Sequence, residues 1–279
     1  MRLTHLFSEA AKEVQSLLHF EDIANNGLRQ ASKASETLDL IRRANEALER
    51  EDHPLNDPAK FNEFRDKAQK LQTWAGSQAQ PGFPYLYELL LIRLWCILEN
   101  LIEQLATTRL HYISALDQHE ALAKLKVSIL DYIALDQVEK GAYLYEELCK
   151  TIGTKERRGA GKYEAVLAAV GLSGPIVDLP SRMLLEASVV RNLVIHRGGR
   201  VDRRSEKACP WLSTTFGARI RLDPRFFYRY ALAVRWYIQE IDRRAGELVP
   251  QHVVLGYPTS QEQLLDTLAD LCVDETTNA

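Results

Sequence analysis

The chain has 279 residues, 46% of them apolar and 26% charged, and a formal net charge of −3. That length builds one large or two modest domains around a real core, and the composition is ordinary for a globular protein. Cys96, Cys149, Cys209 and Cys272 lie far apart with no Cys-x-x-Cys pair, which argues against a zinc ribbon and fits reduced thiols in a cytoplasm.

Almost every patterned segment reads as helix. Residues 3–20 and 21–50 carry 3.6-type spacing, and the opening stretch is polar and amphipathic, unlike a secretory leader. Pro54 and Pro58 break the chain before a helix over Ala59 to Trp74. The run from Ala75 to Pro84, with Gly76, Pro81 and Gly82, is the best linker candidate. Leu86 to Leu105 is the richest apolar run, but Glu88, Arg93, Glu99 and Glu103 interrupt it, so it predicts a buried helix and no membrane span. Two long helices are expected over 86–110 and 111–135, with 136–151 a third or a continuation. A basic loop and helix follow from Lys155 to Val170. Gly171-Leu172-Ser173-Gly174-Pro175 breaks the chain before the next helix. Trp211 to Leu222 is the one stretch with a short β-hairpin signal, an aromatic-rich helix follows over Arg225 to Ala245, and Glu262 to Glu275 reads as a solvated acidic tail helix. The organisation expected is an N-terminal helical region over 1–80, a helical domain over 81–247 and an acidic tail over 248–279.

The densest chemistry lies in Arg191-Asn192-Leu193-Val194-Ile195-His196, followed by Arg197, Gly198, Gly199 and Arg200. Leu184, Leu185, Val189, Leu193 and Val194 recur as an apolar helical face, and the glycine pair predicts the helix end near His196 or Arg197. On that helix Asn192 and His196 stack at i and i+4, while Arg191 lies about 140° round from His196. The two charged ends therefore meet only if the last turn is distorted or a second copy of the helix completes the site across a two-fold axis. Arginine offers a donor fork to phosphate oxygens, and histidine moves a proton near neutral pH. Together they suffice for RNA cleavage by an adjacent 2′-hydroxyl without a metal. The same histidine also suits a helix C-terminus for dipole reasons alone, and Arg191 has Glu186 as a candidate structural partner.

Charge distribution favours the chemical reading. Between Lys150 and Ala245 there are 19 Lys and Arg against 9 Asp and Glu, a net of +10; the rest of the chain holds 16 against 29, a net of −13. No Lys or Arg occurs from Gly246 to Ala279. A basic region centred on Arg191 and His196 predicts a polyanionic partner whose binding weakens with salt.

At Arg191-Asn192-x-x-x-His196 the chain resembles the HEPN superfamily (higher eukaryotes and prokaryotes nucleotide-binding domains), whose mark is Arg, four to six residues, then His, with a polar residue after the Arg. The resemblance spans Pro84 to Gly246. It implies an all-α bundle of HEPN type, here with the extra N-terminal region, that dimerises through its motif helices into a composite ribonuclease site. Arg191 and His196 would be catalytic, with Asn192 in support. Lys155, Arg157, Arg158, Arg197, Arg200, Arg203 and Arg204 would hold RNA, and neither metal nor cofactor is expected. A toxin or antiphage effector, with an antitoxin or regulatory protein as a further partner, is the setting the resemblance suggests. Other members are non-catalytic modules that bind nucleotide, nucleic acid or protein. Some toxins of the family carry a modifiable Tyr two residues after the His, where this chain has Gly198.

Three other patterns are weaker. Gly159-Ala160-Gly161-Lys162 lacks the first Gly and the Ser or Thr of a phosphate loop, since Glu156 and Tyr163 stand there, and reads instead as a flexible basic turn able to follow a nucleic-acid backbone. His111 and His119 share a predicted helix without a third ligand. Phe226, Phe227, Tyr228, Tyr230, Trp236 and Tyr237 have helical spacing that suits a core, with Tyr228 or Arg229 the candidates to face a cleft.

Overall fold

The computed structural model describes residues 3–48, 50, 53–111, 119–154, 157–212, 214–249 and 252–273. Among them the chain is all-α. Its helices are α1 (Leu3–Ala31), α2 (Ala34–Ala47), α3 (Pro58–Ala79), α4 (Pro84–Leu110), α5 (Glu120–Ala123), α6 (Ile129–Ala134), α7 (Gln137–Ile152), α8 (Ala160–Ala169), α9 (Asp178–Arg197), α10 (Arg203–Ala208), α11 (Pro224–Leu248) and α12 (Gln261–Val273). No described helix is long and apolar enough to cross a membrane.

The chain divides into two compact units. One comprises Met1–Leu17, Leu90–Ile220 and Arg225–Ala279; the other comprises Leu18–Leu89 and Arg221–Pro224. In the smaller unit α2 and α3 pack together, and the amide of Ser35 donates to Gln72 Oε1 at 2.8 Å. Asp57 caps α3 by accepting from the amide of Ala59 at 2.9 Å. Tyr87 donates its hydroxyl proton to the buried Glu21 carboxylate.

The larger unit is organised around α4, α9 and α11. Leu91, Leu98, Ile102 and Leu105 of α4, Leu184, Ala187 and Val190 of α9, and Val234, Tyr237 and Ile241 of α11 have lost essentially all contact with solvent. Each such aliphatic side chain contributes about 1.5–3 kcal/mol of transfer free energy. α9 packs against α8, α10 and α12, and from Met183 to Val190 it is buried nearly all round. That is why the apolar face read from sequence is only part of its buried surface. Asp178 in its first turn and His196 and Arg197 in its last suit the two ends of the helix dipole. Gly198 stops the helix in the left-handed region at φ 57 and ψ 35, and the amide of Gly199 returns to the carbonyl of Leu193 at 3.0 Å.

Several expected elements differ. α1 continues to Ala31, and α3 continues through Ala79, so the break expected over 75–84 shrinks to residues 80–83, where Gly82 and Phe83 have positive φ. No long helix covers 111–135. Residues 112–118 lie outside the described ones, and the remainder holds only α5 and α6. His119 and Ser128 each accept a backbone amide there, a local bond that caps a short helix and competes with a continuous one. Trp211 to Leu222 forms no hairpin of its own: among the described residues an isolated antiparallel bridge joins Arg200 to Arg219. The amides of Val201 and Ile220 donate to Ala218 and Gly199 at 2.8 and 2.9 Å, so the stretch pairs with the chain that leaves α9. Finally, α12 is not a solvated tail helix. Leu264 and Leu268 are buried, and the helix packs on α9.

Candidate functional site

Arg191 sits where α9 passes α4 and α8. Its Nη1 donates to Asn192 Oδ1 at 3.2 Å, and its Nη2 lies 3.6 Å from Oε2 of Glu99 on α4. The other oxygen of Glu99 accepts from Lys162 Nζ of α8 at 2.8 Å. One carboxylate thus holds two cations, with side-chain exposures of 30% for Glu99, 33% for Lys162 and 23% for Arg191. The Nε of Arg191 is buried without an acceptor. Beneath the cluster Tyr163 packs its ring 5.6 Å from that of Trp95. Burial, with the Glu99 carboxylate in support, raises the Tyr163 phenol well above its ordinary value. Burial likewise raises the Tyr145 phenol and the Cys149 thiol. These groups stay neutral, so the charges of this cluster belong to Glu99, Lys162 and Arg191.

Asn192, His196 and Arg197 are exposed on the last two turns. Arg191 and Asn192 are brought together; His196 is not joined to them. The Asn192 carbonyl faces Arg191, and no described residue bonds the imidazole of His196. α9 is an unbroken helix through Arg197, so Arg191 and His196 stand about 7.5 Å apart along its axis and about 140° apart around it. Distortion of the last turn is therefore not how this chain would unite them. Glu186 is not the partner of Arg191 either. It is buried, accepts from Trp211 Nε1 at 2.6 Å and Tyr230 Oη at 2.8 Å, and pairs with buried Arg229 at 3.3 Å. Arg229 accordingly faces no cleft.

The predicted cationic surface has a built scaffold. Arg157 and Arg158 are exposed just before Gly159, whose amide donates to Ser188 Oγ of α9 at 3.0 Å. Gly159 adopts φ 55 and ψ −145, and a Cβ there would stand 2.6 Å from Leu185 Cα, so glycine is what lets the segment reach α9. Lys155 lies outside the described residues. Arg197 on the last turn of α9 and Arg200, Arg203 and Arg204 beyond its end are all exposed. A reciprocal cap fixes their loop: Ser205 N donates to Asp202 Oδ1 at 2.7 Å, and Asp202 N donates to Ser205 Oγ at 3.0 Å. The Ser205 amide also keeps the Asp202 carboxyl below its ordinary value. Arg200 Nη1 donates to the Gly217 carbonyl at 3.3 Å.

Two residues of this surface carry a role that the sequence reading did not assign. Glu99 completes the Arg191 cluster with Lys162, and its signal is an acid inside an otherwise apolar helix. Phe216 is the second. It is 62% exposed, and the Arg203 guanidinium sits 5.5 Å from its ring centre. Of the aromatics with helical spacing, Phe227, Tyr230, Trp236 and Tyr237 are buried in the core, and Phe226 and Tyr228 are half-buried. His119 caps α5, and no group of three or more His, Cys, Asp or Glu among the described residues is placed to hold a metal ion.

No protein-family model, no curated protein and no solved structure matches this chain.

Proposed function

We propose that this protein is an endoribonuclease of HEPN type that works as a dimer, its two α9 helices meeting across a two-fold axis. The observation that carries the reading is the last two turns of α9: Asn192, Ile195 and His196 stand open on one face, beside an Arg191 held by a solvent-accessible carboxylate. A second copy of this face would bring the Arg191 of one helix towards the His196 of the other, a union the 140° offset denies a single helix.

In that site the 2′-oxygen of RNA attacks the adjacent phosphorus as the bond to the 5′-oxygen breaks. A 2′,3′-cyclic phosphate and a 5′-hydroxyl result. His196 takes the 2′ proton or delivers one to the leaving oxygen, and Arg191 neutralises charge on the phosphoryl oxygens. Asn192 holds the Arg191 guanidinium in place. Arg157, Arg158, Arg197, Arg200, Arg203 and Arg204 bind the backbone, and their exposure supports that role. A cytoplasmic toxin or antiphage effector, restrained by an antitoxin or regulatory partner, is the setting drawn from the family resemblance.

The second reading is a non-catalytic module that binds nucleotide, nucleic acid or a protein partner. The Arg191–Glu99 pair favours it, because it already neutralises the cation that catalysis needs. RNA cleavage in EDTA separates the two. Wild-type protein should yield cyclic-phosphate ends that vanish in folded Arg191→Ala and His196→Ala variants. Equal cleavage by all three proteins overturns the assignment of the site. RNA binding without cleavage by any of them supports the binding module.

A further inference from the structure

A cavity of about 210 Å³ opens between α1, α11 and the chain around Tyr257 and Pro258. Its walls are largely apolar, with Ala11 and Val14 on α1, Ile238 on α11 and Pro258 opposite. Two cations line it. Lys12 stands in solvent, 3.3 Å from Glu9. Arg235 is half-buried, and its bond among the described residues runs from Nη2 to the Thr259 hydroxyl at 3.2 Å. No described carboxylate pairs with it, and burial alone pulls its pKa below the ordinary arginine value.

Its neighbours on α11 are different. Arg229 pairs with Glu186, Arg243 with Glu240, and Arg244 with Glu164 and Glu240. A partly desolvated cation without counter-charge is costly, and an anion entering beside it relieves that cost. The opposite wall is already fixed. Asp242 accepts from the Leu255 amide and the Tyr257 hydroxyl, both at 2.9 Å, and lies 2.6 Å from His252 Nε2. Gln239 Nε2 donates to the Thr259 carbonyl at 3.0 Å. An apolar cavity with one convergent charge and a preformed wall has the anatomy of a ligand site. Its volume lies below the roughly 300–1,000 Å³ of drug-sized pockets, so the ligand is small.

We propose that this cavity binds a small amphipathic anion, a carboxylate or a phosphate monoester with a short apolar body. Its charged end sits on the Arg235 guanidinium and its body lies against Val14, Ile238 and Pro258. The site stands apart from the α9 motif and does not depend on the ribonuclease reading.

Titration calorimetry on the full chain tests this with octanoate, octyl phosphate and neutral octanol as probes. One of the two anions, or both, should bind at least about tenfold more tightly than octanol. The tighter of the two identifies the headgroup. Arg235→Gln should weaken the anions by about tenfold and leave octanol unchanged, because it removes the charge and keeps the cavity. Ala11→Phe, which fills the cavity from a half-exposed position on α1, should abolish binding of all three. Absence of anion binding to the wild type overturns the proposal, as does equal affinity for octanoate, octyl phosphate and octanol. Should Arg235→Gln fail to fold, that wild-type comparison still decides; if it folds and binds the anions unchanged, the proposal falls.

Discussion

Glu99 on α4 and Arg191 on α9 are joined across the larger unit at 3.6 Å, and the same carboxylate also holds Lys162 of α8 at 2.8 Å. The first cation of the Arg-Asn-x-x-x-His motif is therefore not free for a phosphate. Any anion that reaches Arg191 competes with a carboxylate about one-third exposed to water.

Replacing Glu99 by Gln should release that competition. Affinity for a non-cleavable oligodeoxynucleotide, measured by fluorescence anisotropy at low salt, should rise by a factor of about three to ten. Folding stability should change by no more than about 1 kcal/mol, because the pair is solvent-accessible and screened. A fall in affinity would mean that Glu99 positions Arg191 for binding instead of competing for it.

Phe216 should act as a stacking platform for an unpaired base. Its ring is open, it stands beside the exposed cation of Arg203, and the Arg200–Gly217 bond holds its turn. Phe216→Ala should cost about 1–3 kcal/mol in binding an oligothymidylate and leave duplex binding and the thermal midpoint unchanged. Equal losses for single-stranded and duplex DNA would assign the residue to the scaffold of the loop.

Gly159→Ala should destabilise the protein by about 1–3 kcal/mol, because an L side chain is strained at φ 55 and ψ −145. The new Cβ would also meet the Leu185 backbone, so the loss should fall at the upper end of that range. Thermal unfolding followed by circular dichroism measures it. A melting curve unchanged from wild type would show that the segment carrying Arg157 and Arg158 docks differently.

Acid should weaken the fold partly through Glu240. Burial opposes its ionisation, but hydrogen bonds from Arg243, Gln261 and Arg244 outweigh burial and hold the carboxyl at about 2, against an ordinary value of 4.5. A folded value below the unfolded one stabilises the native state at and above pH of about 4.5, and that contribution is lost as pH falls towards about 2. Urea unfolding between those limits should show stability declining with acid, and Glu240→Gln should flatten the decline. An identical pH dependence in the variant would assign the acid sensitivity to other carboxylates.

Local rules left clear traces in the sequence. The 3.6-residue spacing identified the all-α class and the helices over 86–110, 136–151 and 225–245, and Gly198-Gly199 marked the end of α9. Helix spacing also separated Arg191 from His196, because rotation per residue is a property of the backbone alone. The sequence read less well where side chains compete for backbone amides, as at His119 and Ser128, or where a weak strand pattern pairs with a distant segment, as Ala218 does with Val201.

What the sequence determined by itself was therefore the helical class, the position of the motif on a helix end, and the concentration of positive charge around it. Only the tertiary structure decided which charges meet. Glu99 reaches Arg191 from 92 residues away, Glu186 turns inward to Arg229 and Trp211, and Arg235 pairs with no acid among the described residues. Ion pairing depends on distance and burial, which periodicity along the chain does not encode. The same holds for α12. Its acidic composition reads as solvated, yet Leu264 and Leu268 bury it against α9, because two well-placed apolar side chains outweigh charges that remain in water.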